Sequence, residues 1–156
     1  MTQTLRIASG MSLWLAMMTY DSQVTIDGPA ATGKTTVGKI VADQLGWIFL
    51  DTGVMYRAAT KVLLEANIDL QDNDAMVKKI KDSGLRVEYT GKMTRLFVAE
   101  SDITDHLRDN EVESKVSLIS EVLAIRELMV LSQRQIAKEG PIVMVGRDIG
   151  SVVLPN

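Results

Sequence analysis

Apolar positions along the chain fall into runs with two different periods. Val24 to Ile26, Trp47 to Leu50 and Ile142 to Val145 are short runs of strand length without polar alternation. Such runs predict strands buried on both faces of a parallel sheet. Behind the first run, Val37, Ile40, Val41 and Leu45 recur at helical spacing and Gly46 is a stop signal, so a helix is predicted over 34–45. Further helices are predicted over 54–66, 72–81, 111–122 and 124–138. The last carries an apolar stripe of Ile125, Leu128, Met129, Leu131 and Ile136, and Gly140 closes it before Pro141. The period changes at Leu85 to Tyr89 and Arg95 to Ala99, which hold β-formers on either side of Thr90-Gly91-Lys92 and predict a small antiparallel hairpin. Ser151 to Leu154 reads as a short extended piece. Strand–helix–strand order predicts an α/β fold, a parallel sheet flanked by helices, with right-handed crossovers. The predicted organisation is an N-terminal extension over 1–22 and one α/β unit over 23–156. An insert over 67–122 carries the hairpin.

Composition changes this picture little and narrows the chemistry. The chain has 156 residues, 46 % hydrophobic and 24 % charged, a range in which a single well-packed core is expected. A net charge of −3 gives no electrostatic footprint for nucleic acid or an anionic membrane. There is no cysteine, which removes disulfides, thiolate catalysis and cysteine-based zinc sites. His106 is the only histidine, so multi-histidine metal sites and histidine dyads are excluded. Met11 to Met18 is apolar behind Arg6, but it is short for a signal peptide and Tyr20-Asp21-Ser22 is a poor cleavage site. The expectation is a leading arm or an upstream start, a cytoplasmic location and a monomer.

The chemistry begins where the first strand ends. Gly28 to Thr35 fit G-x-x-x-x-G-K-[ST] between a predicted strand and a predicted helix, the context that motif requires. Gly28, Pro29, Ala30, Ala31, Thr32 and Gly33 turn the backbone so that several N–H groups converge on one concavity at a helix N-terminus, where phosphate oxygens bind. Lys34 is predicted to reach the β- and γ-phosphates of ATP, and Thr35, followed by Thr36, to ligate Mg²⁺. In doubly wound sheets ligands bind beyond the carboxyl ends of the strands. Residues 28–36, 51–57 and 146–150 all leave such ends, so they should face one crevice. The latter two bring Thr52, Arg57, Arg147 and Asp148 there, and arginine forks suit a second phosphate.

Gly28-Pro-Ala-Ala-Thr-Gly-Lys-Thr-Thr36, Leu50-Asp-Thr-Gly-Val-Met-Tyr-Arg57 and Gly146-Arg-Asp-Ile-Gly150 together resemble the bacterial cytidylate kinases. The hairpin and Asp102-Ile-Thr-Asp-His-Leu-Arg108 resemble that family's monophosphate-binding region, and the similarity covers roughly 23–156. The resemblance implies a P-loop fold and transfer of the ATP γ-phosphoryl group to CMP or dCMP with Mg²⁺. It implies that Thr52 helps hold the acceptor nucleotide, that Arg57 and Arg147 grip its phosphate, and that Ser117 and Arg126 meet the cytosine. Plainer roles stay open beside these. Thr52 as only a helix N-cap, Arg126 as a surface residue paired with Glu121 or Glu127, and Ser117 as helix surface are the alternatives. Asp148 is expected to orient an arginine, and His106 to lie on the surface.

Two departures from the family stand out. An acidic residue often precedes the G-R-D turn, and here Val145 takes its place; Asp27 or Asp51 is then expected to support the metal. Members also continue further, with an arginine-rich lid and more of the cytosine pocket. The resemblance therefore implies a C-terminally truncated kinase domain with little or no activity. Another small-molecule kinase of the adenylate or shikimate type, and a nucleotide-binding remnant without catalysis, are the competing readings.

Overall fold

A computed structural model describes residues 22–90 and 93–155, the side chains of Thr90 and Met93 excepted. The predicted extension over 1–22 and the hairpin tip therefore lie almost wholly outside the described residues. The elements are β1 (Gln23–Asp27), α1 (Lys34–Leu45), β2 (Ile48–Asp51), α2 (Thr52–Glu65), α3 (Asn73–Asp82), β3 (Arg86–Thr90), β4 (Met93–Val98), β5 (Ser101–Asp102), α4 (Asn110–Glu121), α5 (Leu123–Ile136) and β6 (Ile142–Gly146). The expected α/β class holds, and helix and strand positions agree with the apolar pattern to within a few residues.

β1, β6 and β2 form a parallel sheet in that order, with β6 in the centre. Its register pairs Asp27 with Gly146 and Asp51 with Val145, so all three strands end at the same level. Strand side chains alternate between faces, and each face has its own cluster. Val143, Val145 and Phe49 pack under Ala42 of α1. Ile142, Met144 and Leu50 pack against Met55 and Leu63 of α2 and Ile125 and Met129 of α5. Met76, Ile80 and Ile119 join that second cluster, so α3 and α4 share the core of the parallel sheet. β3, β4 and β5 form the separate antiparallel sheet, which rests on Ala58 of α2 through Leu96, with Ile103 and Leu107 closing the cluster. It is also tied to the parallel sheet, because the Thr94 hydroxyl donates to the Phe49 carbonyl at the free edge of β2, 2.6 Å away.

Side-chain capping sets the starts of α2 and α3. Asp51 is the N-cap of α2 and accepts from the Gly53 N–H at 2.9 Å. Asp72 does the same for α3 through the Ala75 N–H.

One expectation is overturned. Ser151 to Leu154 is not extended: Ile149–Val153 form a single π-helical turn. The cause lies in side chains distant in sequence. Both oxygens of Asp27 accept backbone N–H groups, from Ile149 at 2.8 Å and Gly150 at 2.9 Å. At the other end Arg134 donates to the carbonyls of Val152 and Val153 at 2.8 and 2.9 Å. With both ends held, the Leu154 N–H closes onto the Ile149 carbonyl at 2.8 Å. Ile149 and Val153 then point inward, 1 % and 2 % exposed. A wide i→i+5 turn between two anchored ends is a local device found often beside functional sites.

Candidate functional site at the carboxyl edge of the parallel sheet

The phosphate loop leaves β1 and enters α1. Gly33 holds a left-handed conformation (φ 84°) as the residue before the helix, and Ala31 is also left-handed (φ 61°). Glycine adopts such a φ without a Cβ penalty. Ala31 has to be held there by its surroundings. The Thr32 hydroxyl donates to the Pro29 carbonyl at 2.9 Å, closing the loop on itself. Lys34 folds back and donates to the same carbonyl, with its ammonium 3.4 Å from the Thr32 hydroxyl. Pro29 to Gly33 and Thr36 are exposed, while Gly28, Lys34 and Thr35 are half-buried. This places the loop's backbone N–H groups at the open N-terminus of α1, a location suited to an oxyanion.

Thr35 meets the second turn. Its hydroxyl donates to the Asp51 carboxylate at 2.7 Å, and the other Asp51 oxygen caps α2. Of the two carboxylates expected near a metal, Asp51 therefore stands beside Thr35. Asp27 is engaged by the backbone of the π-helical turn. A hydroxyl beside a carboxylate is a hard-oxygen pair, the donor type that Mg²⁺ takes while retaining several waters. No group of three or more His, Cys, Asp or Glu side chains able to hold a metal occurs among the described residues.

Thr52 is buried, 5 % exposed, and its hydroxyl donates to the Val145 carbonyl at 3.1 Å. The N-cap role falls to Asp51, and Thr52 instead stitches the start of α2 to the end of β6. Gly146 makes that approach feasible: a Cβ there would lie 2.5 Å from the Thr52 hydroxyl and from the Ile149 side chain. Arg57, one turn further along α2, is 24 % exposed and pairs with Glu113 of α4.

Arg126 of α5 donates to Asp148 at 2.6 Å, across the chain from the turn after β6. The partner is thus neither Glu121 nor Glu127 but Asp148. Tyr56, absent from the sequence candidates, sits in the field of this pair and of Arg147. Burial pushes its hydroxyl above the usual tyrosine range, with Asp148 adding to the rise while Arg126 and Arg147 oppose it. The signal was present in the Tyr56-Arg57 step of the second motif, where only the arginine was singled out. Arg147 is exposed at the end of β6 and forms no ion pair with a described residue. Ser117 is exposed on α4. His106 is exposed and lies 3.5 Å from Asp109.

A cavity of about 660 Å³ lies between α1, the edge of β2 and the antiparallel sheet. Thr35, Asp51 and Arg57 line it together, with Arg108 and Asp105 on the side of the small sheet. Trp47, Phe49, Val54, Leu96 and Leu107 supply its apolar surface. Sequence reasoning brought Arg57 and Thr35 to a common crevice. It missed this apolar wall, whose residues come from elements that only the tertiary fold brings together.

Comparison with known proteins agrees with this arrangement. A family model described as cytidylate kinase matches residues 24–156. A cytidylate kinase of Geobacillus sp. (strain WCH70) is 42 % identical over 139 residues, covering 89 % of this chain and 62 % of the relative. The cytidylate kinase of Bacillus subtilis (strain 168) is 42 % identical over 133 residues, covering 85 % and 59 %. That of Streptococcus mutans serotype c is 44 % identical over 138 residues, covering 86 % and 60 %. The chain thus spans about three-fifths of the length of these relatives. With three motif-bearing turns on one sheet edge and a family match over nearly all described residues, the chain belongs to the cytidylate kinase family.

Proposed function

We propose that this protein serves phosphoryl transfer from ATP to CMP or dCMP. The observation that carries this reading is the shared cavity. Thr35 of the phosphate loop and Arg57 of the second turn line one space, so a donor phosphate and an acceptor phosphate have adjoining places.

The chemistry fits such a site. The acceptor atom is a phosphate oxygen, anionic at neutral pH, so no general base is required. Alignment of two mutually repelling phosphates and neutralisation of charge on the moving group are required instead. In this reading Gly28 to Thr36 cradle the donor phosphates and Lys34 swings from the Pro29 carbonyl to the β- and γ-oxygens. Arg57 and Arg147 hold the acceptor phosphate. The Arg126–Asp148 pair, with Tyr56 beside it, and Ser117 form the wall for the pyrimidine. Thr52 fixes the start of α2 against β6 and keeps a lone pair for the nucleotide. Thr35 and Asp51 would hold Mg²⁺, which supplies charge neutralisation across the donor phosphates. The segment 67–122 is the acceptor-binding portion, although its helices also complete the main core.

Coupled detection of ADP from ATP with CMP, AMP or shikimate tests the reading. Whatever turnover this chain supports is expected to depend on CMP or dCMP. Equal rates with AMP or shikimate, or ADP release indifferent to all three, would contradict it.

A further inference from the structure

The arginine assigned to the acceptor phosphate already has an anion. Arg57 Nε donates to Glu113 Oε1 at 2.7 Å, and Nη2 approaches Oε2 at 3.4 Å. This is the side-on edge of the guanidinium, the edge that matches a carboxylate or a phosphate with two parallel hydrogen bonds. The Nη1 corner is directed elsewhere: it lies 3.0 Å from where a Cβ on Gly53 would stand. Glu113 comes from the first turn of α4, 56 residues away, and its side chain is 40 % exposed. The Arg57 hydrogen bond holds its carboxyl below the usual glutamate range, and the charge of nearby Arg108 adds to this, so it is an anion at neutral pH. Arg147, the other arginine assigned to the acceptor, forms no ion pair with a described residue.

We infer that Glu113 is the resident counter-ion of Arg57, a positioning residue that an acceptor phosphate must displace or share, and that it sets acceptor affinity below what the arginines alone would give. The sign follows from geometry. A phosphate that takes the Nε–Nη2 edge has to displace the carboxylate. One that takes the Nη1–Nη2 edge sits beside it and meets like-charge repulsion. Either way Glu113 opposes the acceptor. Without the acceptor the same contact holds the guanidinium in one pose, and a pair with this much exposure opens readily.

This inference rests on the acceptor reading of Arg57, and a double-mutant cycle separates the two. CMP is titrated calorimetrically into the wild-type protein, Arg57→Ala, Glu113→Gln and the double variant. Glu113→Gln is expected to tighten CMP about three- to tenfold. That gain should vanish in the Arg57→Ala background, since Glu113 acts through Arg57. An unchanged or weaker affinity for Glu113→Gln overturns the inference. So does equal tightening in both backgrounds, which would mean a general field effect. If Arg57→Ala binds CMP as the wild type does, or no variant binds it, the acceptor reading itself falls and takes this inference with it. Melting temperatures of the four proteins, expected to lie close together, show whether a change in affinity reflects local pairing and not loss of fold.

Discussion

The two halves of the crevice are built by different means. The half proposed for the donor is backbone: Gly28 to Gly33 turn between β1 and α1, Lys34 to Thr36 open the helix, and the N–H groups offered there follow from the loop's conformation. The half proposed for the acceptor is side chain. Arg57, Arg126, Arg147 and their neighbours Glu113 and Asp148 come from α2, α4, α5 and the turn after β6. Each placed cation there is a product of the whole fold, and two of the three are held by carboxylates before any ligand arrives. A contiguous motif can present phosphate-binding N–H groups from one loop, whereas Arg57 and Arg126 are ordered by carboxylates from other elements and Arg147 has no ion pair with a described residue.

The sharpest test of this contrast is Lys34→Ala. The Thr32 hydroxyl still closes the loop on the Pro29 carbonyl when the lysine is gone, so the fold should survive with a nearly unchanged melting temperature. Any CMP-dependent ADP formation should fall about 10²- to 10³-fold, the loss typical of removing one oxyanion-stabilising donor. A rate within a few-fold of the wild type would detach the loop from catalysis. Arg57→Ala should act on the other half: CMP affinity weakened about tenfold, with ATP affinity unaltered in the same titrations. Equal loss for both nucleotides would erase the distinction between the halves.

Legibility in the sequence follows the same division. The parallel strands and α1 could be read because continuous apolar runs and a 3.6-residue period are local signals. The donor loop was readable for the same reason, its glycines and Lys34 being contiguous. Arg57 could be brought to the crevice because its motif follows a strand end, whereas Arg147, which also leaves one, does not line the cavity. The arginines' partners could not be placed. Nothing near Arg57 in sequence names Glu113, and Arg126 chose Asp148, 22 residues away, over the adjacent Glu127. The segment of the π-helical turn reads as extended in the sequence for a related reason. Its β-branched Val152 and Val153 favour strand locally, but Asp27 and Arg134 impose the turn from β1 and α5.

That explanation predicts a smaller effect. Asp27→Ala leaves the Ile149 and Gly150 N–H groups without their acceptor and should cost about 1 kcal/mol, in line with loss of a helix cap. Chemical denaturation checks this, and a variant as stable as the wild type would mean that the turn holds without its anchor.

The smallest effect concerns the antiparallel sheet, at Asp102, which does not itself line the cavity. Asp102 accepts from the Thr104 hydroxyl at 2.6 Å and the Thr104 N–H at 2.9 Å, and pairs with Arg95. These contacts, the Thr104 bonds foremost, lower its carboxyl to about 2. A depressed folded-state pKa contributes stability above the unfolded value of about 4, and that contribution is lost as pH falls toward the folded value. The stability difference between wild type and Asp102→Asn should therefore be constant above pH of about 5 and shrink below about 4. Nucleotide affinities should not follow it. A difference that is flat across this range, or that grows on acidification, would contradict the assignment.

The most direct test of two adjoining phosphate places is a titration of CMP into the protein already saturated with ADP, repeated with Arg57→Ala. The structure predicts that CMP still binds while ADP is held, and that Arg57→Ala weakens CMP alone. Mutually exclusive binding of the two nucleotides, or an Arg57→Ala variant that loses ADP and CMP alike, would contradict the account.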